Sequence, residues 1–244
     1  MARPIIGISG TFLEDKQQIL LRETYTNAIL EAGGLPFILP TVSDEAVIRA
    51  MLDQIDGLLL SGGGDVDPEH YGEQRLPECG EPNARRDEFE LRITKMAKDR
   101  RIPISGICRG IQVLSVVYGS KLIQDIPSVC GIPLEKHRQP EPFNLLWHEI
   151  ELTKGGLLTR ITGLTHAMTN SMHHQAIALP GGTLVVEATT ADGIIEAVSD
   201  CENAAVFGVQ FHPEFLTENG DFAKALFAYF VKTAKEYRNN GNAV

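Results

Sequence analysis

No stretch of this 244-residue sequence approaches the ~20 consecutive apolar residues of a membrane-spanning helix. The start, "MARPIIGISG", does not read as a secretion signal, because Pro4 interrupts a short apolar run. Basic residues are in deficit, 22 against 32 acidic, for a net charge of −10. That balance argues against a surface built for nucleic acid or anionic lipid. Cysteine is sparse: Cys79, Cys108, Cys130 and Cys201 form no C-x-x-C pair. No Cys/His cluster has zinc spacing, so neither a disulfide framework nor a metal site is expected, and reduced thiols point to the cytoplasm. Internal repeats, low-complexity tracts and Pro/Gly/Ser linkers are missing too. Residues 1–244 are therefore expected to form one domain.

Apolar residues make up 43% of the chain, enough for a buried core. In the first half they fall in short runs separated by stretches of helical periodicity. "PIIGIS", "LPFILP", "DGLLLSGGG" and "IPISGI" predict strands. Residues 17–34 predict a helix on Ile19, Leu20, Tyr25, Ala28 and Ile29, closed by Gly33 and Gly34. Residues 44–55 predict a second helix capped by Ser43 or Asp44, and 85–101 a highly charged, solvent-facing one. This alternation implies α/β architecture: a mostly parallel, doubly wound sheet with helices on both faces. After Pro127, "WHEIEL", "GTLVVEAT", "GIIEAVS" and "AVFGVQF" suggest antiparallel additions along one edge, before a closing helix over 221–238.

The chemistry centres on "GICRG", residues 106–110. It lies where a strand gives way to a helix, and ligands of open parallel sheets bind beyond such strand ends. Gly106 and Gly110 permit a tight turn, so the pattern resembles a nucleophile elbow exposing Cys108. The positive end of the helix dipole favours a thiolate there, and the Arg109 N–H points into the same space. A thiol nucleophile needs a base. Of seven histidines, His212 stands out at the end of an apolar strand, followed by Pro213 and Glu214. In an extended chain residues i and i+2 share a side, so Glu214 can orient the ring.

"GICRGIQ" and "GVQFHPE", about a hundred residues apart, resemble the class I glutamine amidotransferase superfamily. "LLLSGGGDVDPEHYGE", "RRDEFE", "GSKLIQDI" and "NSMHHQAI" narrow the resemblance to its γ-glutamyl-γ-aminobutyrate hydrolase group. The resemblance implies a Cys108–His212–Glu214 triad and an oxyanion hole from Gly63 or Gly64 with Arg109. It also implies substrate contacts at Gln112 and at Ser171 or His173, with no cofactor. The implied activity is hydrolysis of a γ-glutamyl amide, of γ-glutamyl-GABA or γ-glutamyl-polyamine type, through a thioester. The alternative is a glutaminase subunit delivering ammonia to a synthetase partner. Beyond the small-molecule substrate, no nucleic-acid or membrane partner is expected, and a homodimer is left open. The group usually carries Asn near Ser115 and Gly near Ser120; neither departure touches the chemistry. Asp65 and Asp67 read better as turn-forming acids beside Pro68 than as metal ligands. A structural role for His174 is weighed equally with a functional one, and Arg86, Asp87 and Glu90 are expected at a solvated helix end unless they order a wall of the site.

Overall fold

The protein is described by a computed structural model covering residues 2–218 and 220–241. In chain order, β1 (Ile5–Ile8) leads into a hairpin, β2 (Thr11–Leu13) and β3 (Gln18–Leu20), then α1 (Glu23–Glu31), β4 (Leu35–Ile38), α2 (Glu45–Leu52) and β5 (Gly57–Leu60). There follow α3 (Ala84–Asp99), β6 (Ile104–Ile107), α4 (Arg109–Val117), β7 (Lys121–Ile123) and α5 (Ile126–Cys130). The second half holds β8 (His148–Leu152), α6 (Leu157–Thr162), β9 (His166–Thr169), β10 (Ala176–Leu179), β11 (Leu184–Thr190), β12 (Ile195–Asp200), β13 (Asn203–Val209) and α7 (Asp221–Asn239).

The main sheet runs β4-β1-β5-β6-β13-β12-β11-β8-β9. From β4 to β13 every pairing is parallel. From β13 to β9 every pairing is antiparallel. Short β10 pairs antiparallel with both β12 and β7. The central strands are apolar throughout because both faces are covered. Leu59, Ile107, Phe207 and Val209 face one core with Phe227 and Phe230 of α7. Leu58, Leu60, Ile104 and Val206 face the other with Phe89 and Ile93 of α3 and Ile111 of α4. Strand alternation thus sorts neighbouring leucines to opposite layers. Asp44 caps α2 as expected, accepting from the N–H groups of Ala46 and Val47. Among the described residues no helix is long and apolar enough to cross a membrane.

Three expectations are corrected. Residues 17–34 are not one helix: Gln18–Leu20 pairs with Thr11–Leu13, and α1 begins only at Glu23. Ile19 and Leu20 mimic helical spacing but are exposed, and the strand lies against Gly10, where a Cβ would sit 2.6 Å from Ile19. The charged helix α3 is not solvent-facing on all sides, since Arg86, Asp87 and Glu90 are buried. Finally, "AVFGVQF" is no edge addition. β13 lies beside β6 in the parallel half, with Val209 in register with Ile107, the residue before the cysteine.

Candidate active site

Cys108 follows β6 and caps the start of α4 with φ 53° and ψ −107°, a backbone conformation unusual for a residue with a side chain. Its N–H donates to Val209 O at 2.9 Å, which pins the turn to β13. The flanking glycines are required by close approach. A Cβ on Gly106 would lie 2.4 Å from Gly110 O, and one on Gly110 would lie 2.1 Å from Leu60 O. Only bare backbones let α4 rest on β5 and β6 and lift the thiol out of the sheet.

The strand register that pins Cys108 also delivers His212. The chain leaves β13 and turns at Pro213 into a single 3-10 turn, Pro213–Phe215. The ring and the carboxylate of Glu214 therefore meet through a turn, not through the extended i, i+2 geometry expected. Their contact is short, Nδ1 to Oε1 at 2.6 Å. A carboxylate only accepts, so Nδ1 carries the hydrogen and Nε2 is left for the thiol. Burial alone would depress the imidazole; the charge of Glu214, and after it Cys108, outweigh this and push His212 up to about 10. Asn170 fixes the histidine backbone from both sides: its Nδ2 donates to His212 O and its Oδ1 accepts from His212 N, each at 2.9 Å. Nothing in the local pattern of "TNSMHH" marks Asn170 for this role. Tyr25 completes the floor. Its hydroxyl accepts the Gly62 N–H at 2.9 Å, and burial, then Glu214, keep it protonated well above the ordinary range.

Cys108 and His212 both line a cavity of about 320 Å³, together with Gly62, Gly63, Tyr25, Arg22 and Arg138. The glycine loop is set by Arg86, whose Nη2 donates to the carbonyls of Ser61 (3.1 Å) and Gly62 (2.9 Å). In a trans peptide the N–H points opposite to the carbonyl. Holding Gly62 O inward therefore turns the Gly63 N–H outward. A Cβ on Gly63 would lie 2.0 Å from the Arg86 guanidinium, so the loop admits only glycine there. Arg86 is held by Glu90 (Nε to Oε1 2.8 Å), and Arg109 bonds both Glu90 and Asp87. Two cations and two anions are thus buried as a neutral group beneath the site. The side chain of Arg109 points into this group, and its N–H, at the first residue of α4, has no acceptor within the helix.

Other expected contacts fall outside the cavity lining. Gly64 is exposed and lies beyond the lining. Gln112 is buried one turn up α4, with its amide at 3.4 Å from Gln175 O and 3.3 Å from Gln210 Oε1. Ser171 donates to His137 O at 2.6 Å, and His173 turns toward Gln175 and Glu196. The residue between them, Met172, lines the cavity instead, with Gln139 and Phe143. His174 bridges Asp65 (3.0 Å) and Asp125 (3.1 Å). Its bond to Asp65, the stronger influence, raises it against burial, and both ring nitrogens are spent on structure. The remaining cysteines are free thiols away from the cavity.

Residues 4–214 match Peptidase C26. The chain belongs to that family, among the class I glutamine amidotransferase-like proteins. It is 33% identical over 279 residues to a glutamine amidotransferase-like protein of Rickettsia prowazekii, covering 96% of this chain and 98% of that one. It is 34% identical over 248 residues to the γ-glutamyl-γ-aminobutyrate hydrolase PuuD of Escherichia coli K12, covering 97% and 96%. Among solved structures, a GMP synthase protein from Thermoplasma acidophilum superposes with a TM-score of 0.66 at 19% identity, covering 98% of each chain. That likeness is one of fold. The chain is a glutamine-amidotransferase-like hydrolase.

Proposed function

We propose that the protein hydrolyses γ-glutamyl amides through a thioester on Cys108. The observation that carries this reading is the joint exposure of Cys108 and His212 in one cavity, with Glu214 on the far ring nitrogen. The thiolate attacks the γ-carbonyl, and the C–O π pair moves to oxygen beneath the N–H groups of Gly63 and Arg109. Loss of one such donor is worth about 10²–10³ in rate. The His212 Nε2 proton passes to the nitrogen as the C–N bond breaks, and the amine leaves. His212 then takes a proton from water, whose oxygen attacks the thioester. The adduct collapses with cleavage of the C–S bond, glutamate departs, and the Cys108 thiolate and protonated His212 are restored. No step calls on a cofactor, and the proposed compartment is the cytoplasm.

The leaving group is read from charge. Arg22 and Arg138 reach the cavity, and among the described residues neither guanidinium is paired with a carboxylate. A substrate carrying carboxylates at both ends, γ-glutamyl-GABA, suits two free cations. A second cavity across Phe143 and Phe215 carries Glu31, Glu141 and Glu218, which favours a cationic polyamine tail as the second reading. Glutamate release from γ-glutamyl-GABA, γ-glutamyl-putrescine and glutamine should be measured on one preparation. The first is expected to show the highest kcat/KM, and Cys108→Ala is expected to abolish turnover while staying folded. An active Cys108→Ala enzyme refutes the mechanism. Turnover of glutamine alone, and only with a partner present, establishes the glutaminase alternative.

A further inference from the structure

Three histidines and a glutamate that the proposed reaction does not use meet at one place, from four separate segments. His137 precedes the cavity wall, His148 opens β8, His173 lies between β9 and β10, and Glu196 lies in β12. Glu196 and His137 are 0% exposed, and His173 is 4% exposed. Each histidine presents one ring nitrogen to an oxygen that can only accept. His148 Nδ1 faces Lys136 O at 3.2 Å, His173 Nδ1 faces Gln175 O at 2.9 Å, and His137 Nε2 faces Asp192 Oδ2 at 3.4 Å. Those nitrogens carry the hydrogens. The opposite nitrogen of each neutral ring then bears a lone pair.

All three of these inner nitrogens turn toward the same oxygen, Glu196 Oε1: His137 Nδ1 at 3.7 Å, His148 Nε2 at 3.7 Å and His173 Nε2 at 3.3 Å. None of them, and neither oxygen of Glu196, has a hydrogen-bond partner of acceptable geometry. Lone pairs gathered around a buried carboxylate repel one another, and leaving such groups unpaired is costly. A proton on one of the rings, or a cation between them, removes the conflict. Donors about 2.0–2.2 Å from a tetrahedral ion lie about 3.4 Å apart, a little closer than the 3.7 Å that separates Glu196 Oε1 from both His137 Nδ1 and His148 Nε2. The outer contacts repeat the arrangement that orients metal-bound histidines, a carboxylate or carbonyl on the far ring nitrogen.

We propose that His137, His148 and Glu196 form a structural site for a divalent transition metal of the zinc class. One ligand atom from each lies within 4.8 Å of the others. His173 flanks the carboxylate. Imidazole ligands with a single carboxylate suit zinc and its neighbours over magnesium or calcium. His137 and His148 border a surface cavity of about 440 Å³ with Trp147 and Asp192, while their inner nitrogens and Glu196 are buried behind it. The site clips the catalytic wall from behind. His173 N donates to His137 O (3.0 Å) and Gln139 N to Ser171 O (2.9 Å), so the two segments bearing Arg138, Gln139 and Met172 are stitched together beside the metal. The inference does not depend on the proposed reaction.

The test uses the full chain with Cys108→Ala, which removes the catalytic thiol as a competing ligand. After chelator treatment, Zn²⁺ alone is titrated by calorimetry and bound metal is counted by mass spectrometry. About one ion per chain is expected, with micromolar or tighter affinity. Asp192→Asn should weaken binding about 10–100-fold through the outer contact. His148→Gln and Glu196→Gln, which each remove a ligand, should weaken it more. His148 and Asp192 lie near the surface, so their variants keep the test sound if Glu196→Gln unfolds. Circular dichroism checks folding in each case. A folded Cys108→Ala protein that binds no Zn²⁺, or binds it equally well with His148→Gln or Asp192→Asn added, overturns the proposal.

Discussion

Glu90→Gln removes one charge from the buried group beneath the glycine loop. Glu90 is 0% exposed and accepts from Arg86 Nε at 2.8 Å and from Arg109. The wild-type group balances Arg86 and Arg109 against Asp87 and Glu90. After substitution two guanidiniums face Asp87 alone, and an amide N–H₂ replaces one acceptor oxygen. Removing one partner of a buried pair costs about 3–5 kcal/mol, mostly because the other charge is left uncompensated. The exposed pair Glu45–Arg49, at 53% and 57% side-chain exposure, is the control. There Glu45→Gln should cost about 0.3–0.5 kcal/mol. With a urea m-value of about 3 kcal/mol/M, the Glu90 variant should unfold about 1–1.7 M earlier. Burial raises the Glu90 carboxyl, but Arg109 and then Arg86 outweigh it and hold it below its ordinary value. A depressed carboxyl stabilises the fold above its unfolded pKa and loses that contribution as pH falls. The gap between wild type and variant should therefore narrow on acidification below about pH 4. Because Arg86 turns the Gly63 N–H outward, hydrolysis should lose kcat more than KM. A shift no larger than that of Glu45→Gln, with kcat unchanged, would refute both the electrostatic and the positioning argument.

On the proposed mechanism the raised His212 sets the alkaline limit. Its proton, needed at the leaving amine, is lost as pH rises through about 10, so kcat/KM should fall only there, and Glu214→Gln should move that limb to lower pH. Glu214→Gln should also lose less activity than His212→Ala, whose loss is about 10²–10⁴-fold, since a glutamine oxygen still orients the ring; equal losses in folded proteins contradict this. Gly110→Ala forces a Cβ to 2.1 Å from a β5 carbonyl and should destabilise by about 1–3 kcal/mol or more, while Gly64→Ala meets open space and should be nearly neutral. Chemical denaturation of the pair decides it.

Local pattern carried much of this protein. Short apolar runs alternating with helical periods are dictated by burial on both sheet faces, and they marked the parallel layer. The elbow was legible because its glycines answer a local demand, the passage of α4 backbone over β5 and β6. The closeness of His212 and Glu214 was legible in two residues and a proline, but not its geometry, because the ring and carboxylate meet through a turn that Asn170 helps to fix. Tertiary structure decided what depends on distant partners. The polarity of α3 predicted exposure, yet Arg86, Asp87 and Glu90 are buried because Arg109 arrives from α4 to neutralise them. Ile19 and Leu20 fit a helix, but pairing with Thr11–Leu13 made them a strand whose end lines the cavity. Linear spacing held no cluster of ligating residues, whereas the fold gathers His137, His148 and Glu196 from segments up to 59 residues apart, 137 to 196. Periodicity records which face of an element is buried. It does not record which charges and rings of other elements wait on that face.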